Sequence, residues 1–388
     1  MADPYYGREQ TKAKHYLLKR YLQALAFKVL TFNDITYVDG FSGPWECKTE
    51  DFADSSFMIA LEVLKDAQEK IYKATGRRRK VRCFLCEKNP EAYAKLVEAV
   101  AKYHEPEEDF EVRTYGGEFE SAIPEIQIFI GRSFPLIFID PTGWTGYSIE
   151  KLKPLCDRPK AELMINFMYD FINRAAAMSD PATVASFDPI LGGAGWQGRL
   201  DPSLKRGQAV EKLFRETLAA ECGLDYLVST KVYRSTKNRP HFFLVYGTKS
   251  QAGLETFRNT EYSAVKAHAR ERADAKERKR EVESGTVSFF TGMDADFQEA
   301  AVEDVVEANK RLARKALIAK LQEAGPTRFG DLWPMLLHAY MLRITNVKDI
   351  CVDLAKAGKI KNTWGGGNRK PRDGDLIELT ANPRESDA

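Results

Sequence analysis

The sequence predicts an α/β protein: an open, mostly parallel seven-stranded sheet, doubly wound by helices, followed by a small α+β domain of the winged helix-turn-helix type. Three observations carry this. Short runs rich in Val, Ile, Phe and Tyr alternate with amphipathic stretches, as βαβ units do. The last two runs are separated only by Ser235 to Pro240, too short for the crossover a parallel pair needs, so they form a terminal antiparallel hairpin. Beyond a charged stretch, three helical segments precede two strand-like ends that flank a Gly-rich, basic turn.

In chain order the seven strands are expected at Asp34 to Asp39, Val81 to Glu87, Phe110 to Tyr115, Phe134 to Asp140, Glu162 to Phe167, Tyr226 to Arg234 and His241 to Tyr246. Apolar residues at helical spacing predict helices over Ser56 to Ala74, Pro90 to Tyr103, Ser148 to Cys156 and Gln208 to Cys222. Residues 180–205 carry Gly and Pro without periodicity and read as a long insertion loop. From Ala264 to Ser284 mixed-sign charges recur at helical spacing with almost nothing apolar, as in a solvated helix. The domains are therefore expected at 1–262 and 298–382, with 263–297 a charged helical linker. In the second domain, helices are expected at Glu299 to Ala324, Phe329 to Tyr340 and Asn346 to Gly358, with Thr345 as N-cap and Gly358 as the stop. Lys359 to Trp364 and Asp375 to Thr380 complete the wing.

Composition excludes several classes. With 388 residues, 44% apolar and 29% charged, the chain is not disordered, collagen-like or a disulfide scaffold. No run approaches a membrane span and MADPYYGREQ lacks a signal-peptide core, so a cytoplasmic protein with no membrane partner is expected. The one C-x-x-C, Cys83 to Cys86, lies in an apolar run with no second pair, so no metal is expected. The five histidines show no ligand spacing and no accompanying nucleophile. With 58 basic and 56 acidic residues, any nucleic-acid signal must be local.

Chemistry is expected at the carboxyl ends of the strands, where open parallel sheets bind ligands. The first strand ends in Asp39-Gly40-Phe41-Ser42-Gly43-Pro44, whose small residues allow close backbone approach to a ligand. The second ends in Glu87-Lys88, where a carboxylate can accept both hydroxyls of a ribose. The fourth ends in Asp140-Pro141-Thr142-Gly143-Trp144 and is expected beside the first, at the cofactor's reactive end. No G-x-G-x-x-G opens the first helix, which argues against hydride transfer.

This arrangement resembles a class I S-adenosylmethionine-dependent methyltransferase, with its Rossmann-like sheet and terminal hairpin. Closer still, the chain resembles the three-Cys-motif partner protein family (TcmP), methyltransferase-like proteins encoded beside a protein bearing a three-cysteine motif. The matching residues are Lys14-His15 with Leu18 and Tyr21-Leu22, the turn from Tyr37 to Pro44, Ile139 to Gly143, Ile165 to Phe167 with Asn173-Arg174, Phe242 to Thr248, and Gly253-Leu254. The resemblance spans about residues 8 to 260. It implies S-adenosyl-L-methionine as cofactor, with Asp39, Phe41 and Gly43 at its methionine end, Glu87 on the ribose, Tyr115 to Glu118 (including Gly117) at the adenine edge, and Asp140 nearest the methyl group. Where the family turn reads G-P-G, this chain has Gly43-Pro44-Trp45, so Trp45 either crowds or covers the cofactor's carboxylate. A three-cysteine-motif protein, of radical-enzyme type in one reading, is the implied partner.

Asp140-Pro141 also resembles in part the D-P-P-Y signature of amino-methyltransferases. Asp140 and the Pro141 carbonyl would then accept from a nucleobase amine, with Trp144 as the face on which a flipped base stacks. Packing under the following helix is the competing role for Trp144, as side-chain capping is for Asn166. In the second domain, Lys348 and the acid-free run carrying Lys359, Lys361, Arg369, Lys370 and Arg372 suit phosphate contacts, more to DNA backbone than to base edges. The expected function is methylation of a nucleic acid, on a base amino group. The alternatives are a non-catalytic adaptor of the same fold, or a DNA-repair or phage-defence component working with the three-cysteine protein.

Overall fold

A seven-stranded sheet with strand order β3-β2-β1-β4-β5-β7-β6 forms the centre of the first compact unit. The structure is a computed structural model that describes residues 4–43, 47–169, 180–234, 236–237, 240–284, 293–365 and 369–380. Strands β1 (Ile35–Asp39), β2 (Val81–Glu87), β3 (Phe110–Gly116), β4 (Phe134–Ile139) and β5 (Glu162–Phe167) run parallel. Strand β7 (Pro240–Thr248) is antiparallel to both β5 and β6 (Tyr226–Tyr233). The hairpin therefore forms as expected, but its second strand enters between β5 and the first. Each of the seven strands lies within two residues of its expected bounds, because buried β-branched and aromatic runs leave a period that helices cannot share.

Helix α1 (Glu9–Val29) packs with α2 (Ser56–Thr75), which starts at an N-cap where Ser55 accepts from the Met58 N–H at 3.2 Å. Helix α3 (Pro90–Val100) is capped by Asn89, which accepts from Glu91 and Ala92 N–H groups. Helices α4 (Phe119–Ile130) and α5 (Ile149–Cys156) bury Ile126, Phe129, Leu152 and Leu155 in one core with Val38, Phe84, Ile137 and Ile165 of the sheet. The expected loop at 180–205 is instead three short helical turns, α6 (Pro181–Ala185), α7 (Asp188–Leu191) and a 3-10 turn at Trp196–Arg199, before α8 (Arg206–Cys222). Phe187, Ile190, Leu191 and Trp196 from this segment are buried in the same core, which orders it despite its lack of a sustained period.

At the far end of the strands from the ligand side, Glu162 is buried beside Tyr21 and Tyr246. It accepts from Tyr21 Oη and, at 3.3 Å, from Thr248 Oγ1. Burial pushes its carboxyl from the ordinary 4.5 up to about 7, against the pull of these hydroxyls. The folded state thus binds this proton more tightly than the unfolded chain. Its stabilising contribution is complete below about pH 4.5, falls as pH rises, and is gone above about pH 7. Glu162→Gln is expected to remove a slope worth on the order of 3 kcal/mol between those limits, read as the pH dependence of chemical denaturation. An unchanged slope would mean that Glu162 titrates normally.

The chain divides into Met1–Ser250 with Arg278–Thr286, and Gln251–Glu277 with Val287–Ala388. The expected boundary at 262 lies inside helix α9 (Gln251–Ser284). In the second unit Arg258 of α9 donates to the Leu337 and His338 carbonyls at 2.7 and 3.2 Å and pairs with Glu261, so the cation closes a helix end. Helices α10 (Met293–Ala324), α11 (Phe329–Ala339) and α12 (Ile344–Lys356) follow. Asn346 accepts from the Arg343 N–H at 2.9 Å, so α12 begins before the expected cap, Thr345. Gly358, at φ 66°, follows its end as expected. A two-stranded sheet pairs β8 (Thr327–Arg328) with β9 (Leu376–Ile377), and a bridge joins Ile360 to Leu379. The expected strand 359–364 reduces to that bridge, and Trp364 Nε1 donates to the Arg369 carbonyl at 3.1 Å. No described helix is long and apolar enough to cross a membrane.

Candidate functional site

The turn after β1 is fastened to both neighbouring strands. Gly40 N donates to Phe138 O at 3.0 Å and Ser42 N to Cys86 O at 2.7 Å. A Cβ at Gly40 would lie 2.8 Å from the ring of buried Phe119, so only glycine fits. Asp39 points inward and accepts from Ser56 Oγ, Phe41 N and Tyr37 Oη at 2.7, 3.0 and 3.2 Å. Burial pushes its carboxyl up to about 6, with the donors opposing. Asp39 and Ser42 line none of the cavities described below, so their part is to set the turn, not to line the cleft as expected. Pro44 and Trp45 lie outside the described residues.

Beyond β2, buried Glu87 accepts from the Asn89 N–H at 2.6 Å, and Gly117 N donates to the Glu87 carbonyl at 3.0 Å. Tyr115 stacks on Phe84 inside the core, which leaves Gly117 and Glu118 to face the cleft. A cavity of about 80 Å³ results, with Gly40, Phe41, Glu87, Lys88, Gly117, Glu118, Phe119 and Asp140 among its walls. Residues expected at the cofactor from four separate strand ends thus meet in one place.

A second cavity, of about 280 Å³, shares Phe41, Asp140, Pro141 and Thr142 with the first and continues past Gly43, Lys14, Asn166, Met168 and Phe242. Asp140 is not a lone carboxylate. Asn166 Nδ2 donates to its Oδ1 at 2.6 Å and Lys14 Nζ pairs with its Oδ2. Asn166 thus orients Asp140, while its own Oδ1, buried, finds no partner among the described residues. His15 lies in the same wall, accepting from or donating to Tyr5 Oη at 3.1 Å, and burial lowers its pKa to about 3. At neutral pH its imidazole is uncharged. Lys14 is the functional residue that local reading undervalued: only the family pattern marked it, because its partner lies 126 positions away.

Trp144 does not join these residues. It stacks on buried Phe187 at 5.0 Å and 25°, and its Nε1 donates to Ser186 Oγ at 3.0 Å. It lines neither of these cavities but a third, of about 900 Å³, that shares Lys88 and Glu118 with the first. Asn173 and Arg174 lie outside the described residues.

In the second unit, Lys348 extends over the Phe329 ring, 5.8 Å from its centroid. Lys361 pairs with Glu378 at 2.6 Å and Lys370 with Asp349, so two of the six expected cations have protein partners. Arg369 and Arg372 are exposed and Lys359 is half-buried. Trp333 Nε1 donates to Asp373 Oδ1 at 3.2 Å, which fixes the basic turn against α11.

No family model and no curated protein matches the chain. Among solved structures, an O-methyltransferase from Bacillus cereus in complex with SAH is 13% identical, covering 60% of this chain and 80% of that one, at a TM-score of 0.30. TomG, an O-methyltransferase from Streptomyces achromogenes involved in tomaymycin synthesis and solved with SAM, is 12% identical, covering 64% and 92%, at 0.32. Likeness at this level bears on neither substrate nor chemistry.

Proposed function

We propose that this protein is an S-adenosylmethionine-dependent methyltransferase of the class I, Rossmann-like type that acts on a nucleic acid. The observation that carries the reading is convergence at the switch point between β1 and β4. The ends of β1, β2, β3 and β4 bring Phe41, Glu87, Gly117 and Asp140 to one cleft, in a sheet whose antiparallel β7 is set between β5 and β6. The donor set fits the cofactor: a buried carboxylate for the ribose hydroxyls at Glu87, and Gly143 with open space where a side chain would stand. Bound there, the cofactor supplies an activated methyl group, while the protein orients it and excludes water. Calorimetric titration is expected to show micromolar binding of S-adenosylmethionine and of S-adenosylhomocysteine, about −8 kcal/mol. A folded protein that binds neither sinks the reading.

Residues 298–382 are read as a winged helix-turn-helix, supported by three helices, the β8–β9 pair and a basic turn held by Trp333. Nucleic acid is the ligand this surface suits. Exposed ion pairs such as Lys361 with Glu378 are worth no more than about 1 kcal/mol, so such lysines remain able to turn to phosphate. The residues shared with the TcmP pattern support a three-cysteine-motif protein as partner.

A further inference from the structure

We propose that the atom methylated here is a hydroxyl oxygen, the 2′-hydroxyl of an RNA ribose, held by Lys14 and deprotonated by Asp140. The inference rests on the methyltransferase reading and decides between acceptor chemistries within it. Asp140 stands where the two cavities meet, which is where a methyl group bound in the first would face an acceptor in the second. An amine acceptor would need the absence of a nearby cation, since nitrogen becomes cationic as it is methylated. Asp140 instead carries Lys14 on one oxygen, with Asn166 on the other.

The cation is the deciding feature. Lys14 Nζ comes from the N-terminal helix, lies 6.0 Å from the Phe242 ring centroid, and is only 12% exposed, against 13% for Asp140. In so dry a wall an ammonium strongly favours an acceptor that builds negative charge on oxygen, and it penalises one that builds positive charge on nitrogen. A hydroxyl meets this requirement, and the hydroxyl offered along the interior of a nucleic acid strand is the ribose 2′-OH, which DNA lacks.

The step balances without a further reagent. The hydroxyl oxygen forms a bond to the methyl carbon as the carbon–sulfur bond of the sulfonium breaks, leaving its electron pair on sulfur. The hydroxyl proton passes to a remaining lone pair of the Asp140 carboxylate, which returns it to solvent, while Lys14 stays an ammonium throughout and holds the oxygen. Asn166 is a positioning residue that keeps Asp140 turned toward Lys14.

The test uses the full chain saturated with S-adenosylhomocysteine, and fluorescence anisotropy with two fluorescein-labelled single-stranded oligonucleotide pools of the same mixed sequence, one RNA and one DNA. Wild type is expected to bind the RNA about 10-fold more tightly, the value of one hydrogen bond to a charged group. Lys14→Met is expected to bring the two within about twofold while S-adenosylhomocysteine affinity, which reports folding, is unchanged. Lys14→Arg, which keeps the ion pair, retains most of the preference. With tritiated S-adenosylmethionine and total RNA, label is expected in 2′-O-methylnucleosides and falls about 100-fold in Lys14→Met. Equal binding of RNA and DNA by wild type, label on a base, no label in RNA, or full transfer by Lys14→Met each overturns the proposal. Failure of the wild type to bind S-adenosylhomocysteine would instead overturn the methyltransferase reading beneath it.

Discussion

Truncating Glu87 to alanine is expected to weaken S-adenosylmethionine binding about 100-fold, because two hydroxyl bonds to a buried carboxylate are lost together. The carboxylate is buried at the end of β2 and lines the smaller cavity. It also has a structural task, since its Oε1 accepts from the Asn89 N–H at 2.6 Å at the start of α3. Glu87→Gln separates the two roles. The amide can still accept from Asn89 but cannot accept from both ribose hydroxyls, so a loss of about 10-fold is expected with little change in melting temperature. Calorimetric titration of the three proteins reads the outcome. Wild-type affinity in Glu87→Ala would mean that the ribose does not lie at the end of β2.

Trp196→Ala is expected to destabilise the first unit by about 3 to 5 kcal/mol, the usual result of emptying a buried indole site. Trp196 is fully buried, meets Phe187 edge-on at 6.0 Å and donates from Nε1 to the Val184 carbonyl at 3.2 Å. Phe187 in turn carries Trp144 on its face. The cavity would therefore open beneath the segment 180–200 and loosen the turn that follows Asp140. Trp196→Phe keeps most of the packing and is expected to lose about 1 kcal/mol for the bond to Val184. Urea denaturation followed by near-ultraviolet circular dichroism compares them. A loss below 1 kcal/mol in Trp196→Ala would show that the segment contributes little to the core.

Helices α1 and α4 were the elements that local pattern did not mark. In α4 the sequence from Phe119 to Ile130 carries Pro124 and four isoleucines, so its local preference is divided between helix and strand, and burial of Ile126 and Phe129 against the sheet decides. In the 180–205 segment, Phe187, Ile190 and Leu191 stand at helical spacing over a single turn only, too short a run to announce that they share a core with Trp196. The cleft was more legible. Gly40, Phe41, Glu87, Lys88, Gly117 and Glu118 were recognisable because each ends or follows a strand, and the strands were plain.

By itself the sequence determined the seven strands, the antiparallel sense of the last two, and the strand ends that line the smaller cavity. These depend on periodicity and connection length, which are local quantities. Tertiary structure alone decided that β7 enters between β5 and β6, that Trp144 stacks on Phe187 outside both cavities at Asp140, and that Asp140 is held by Lys14 and Asn166. Side chains 126 and 26 positions apart meet only when the sheet has formed.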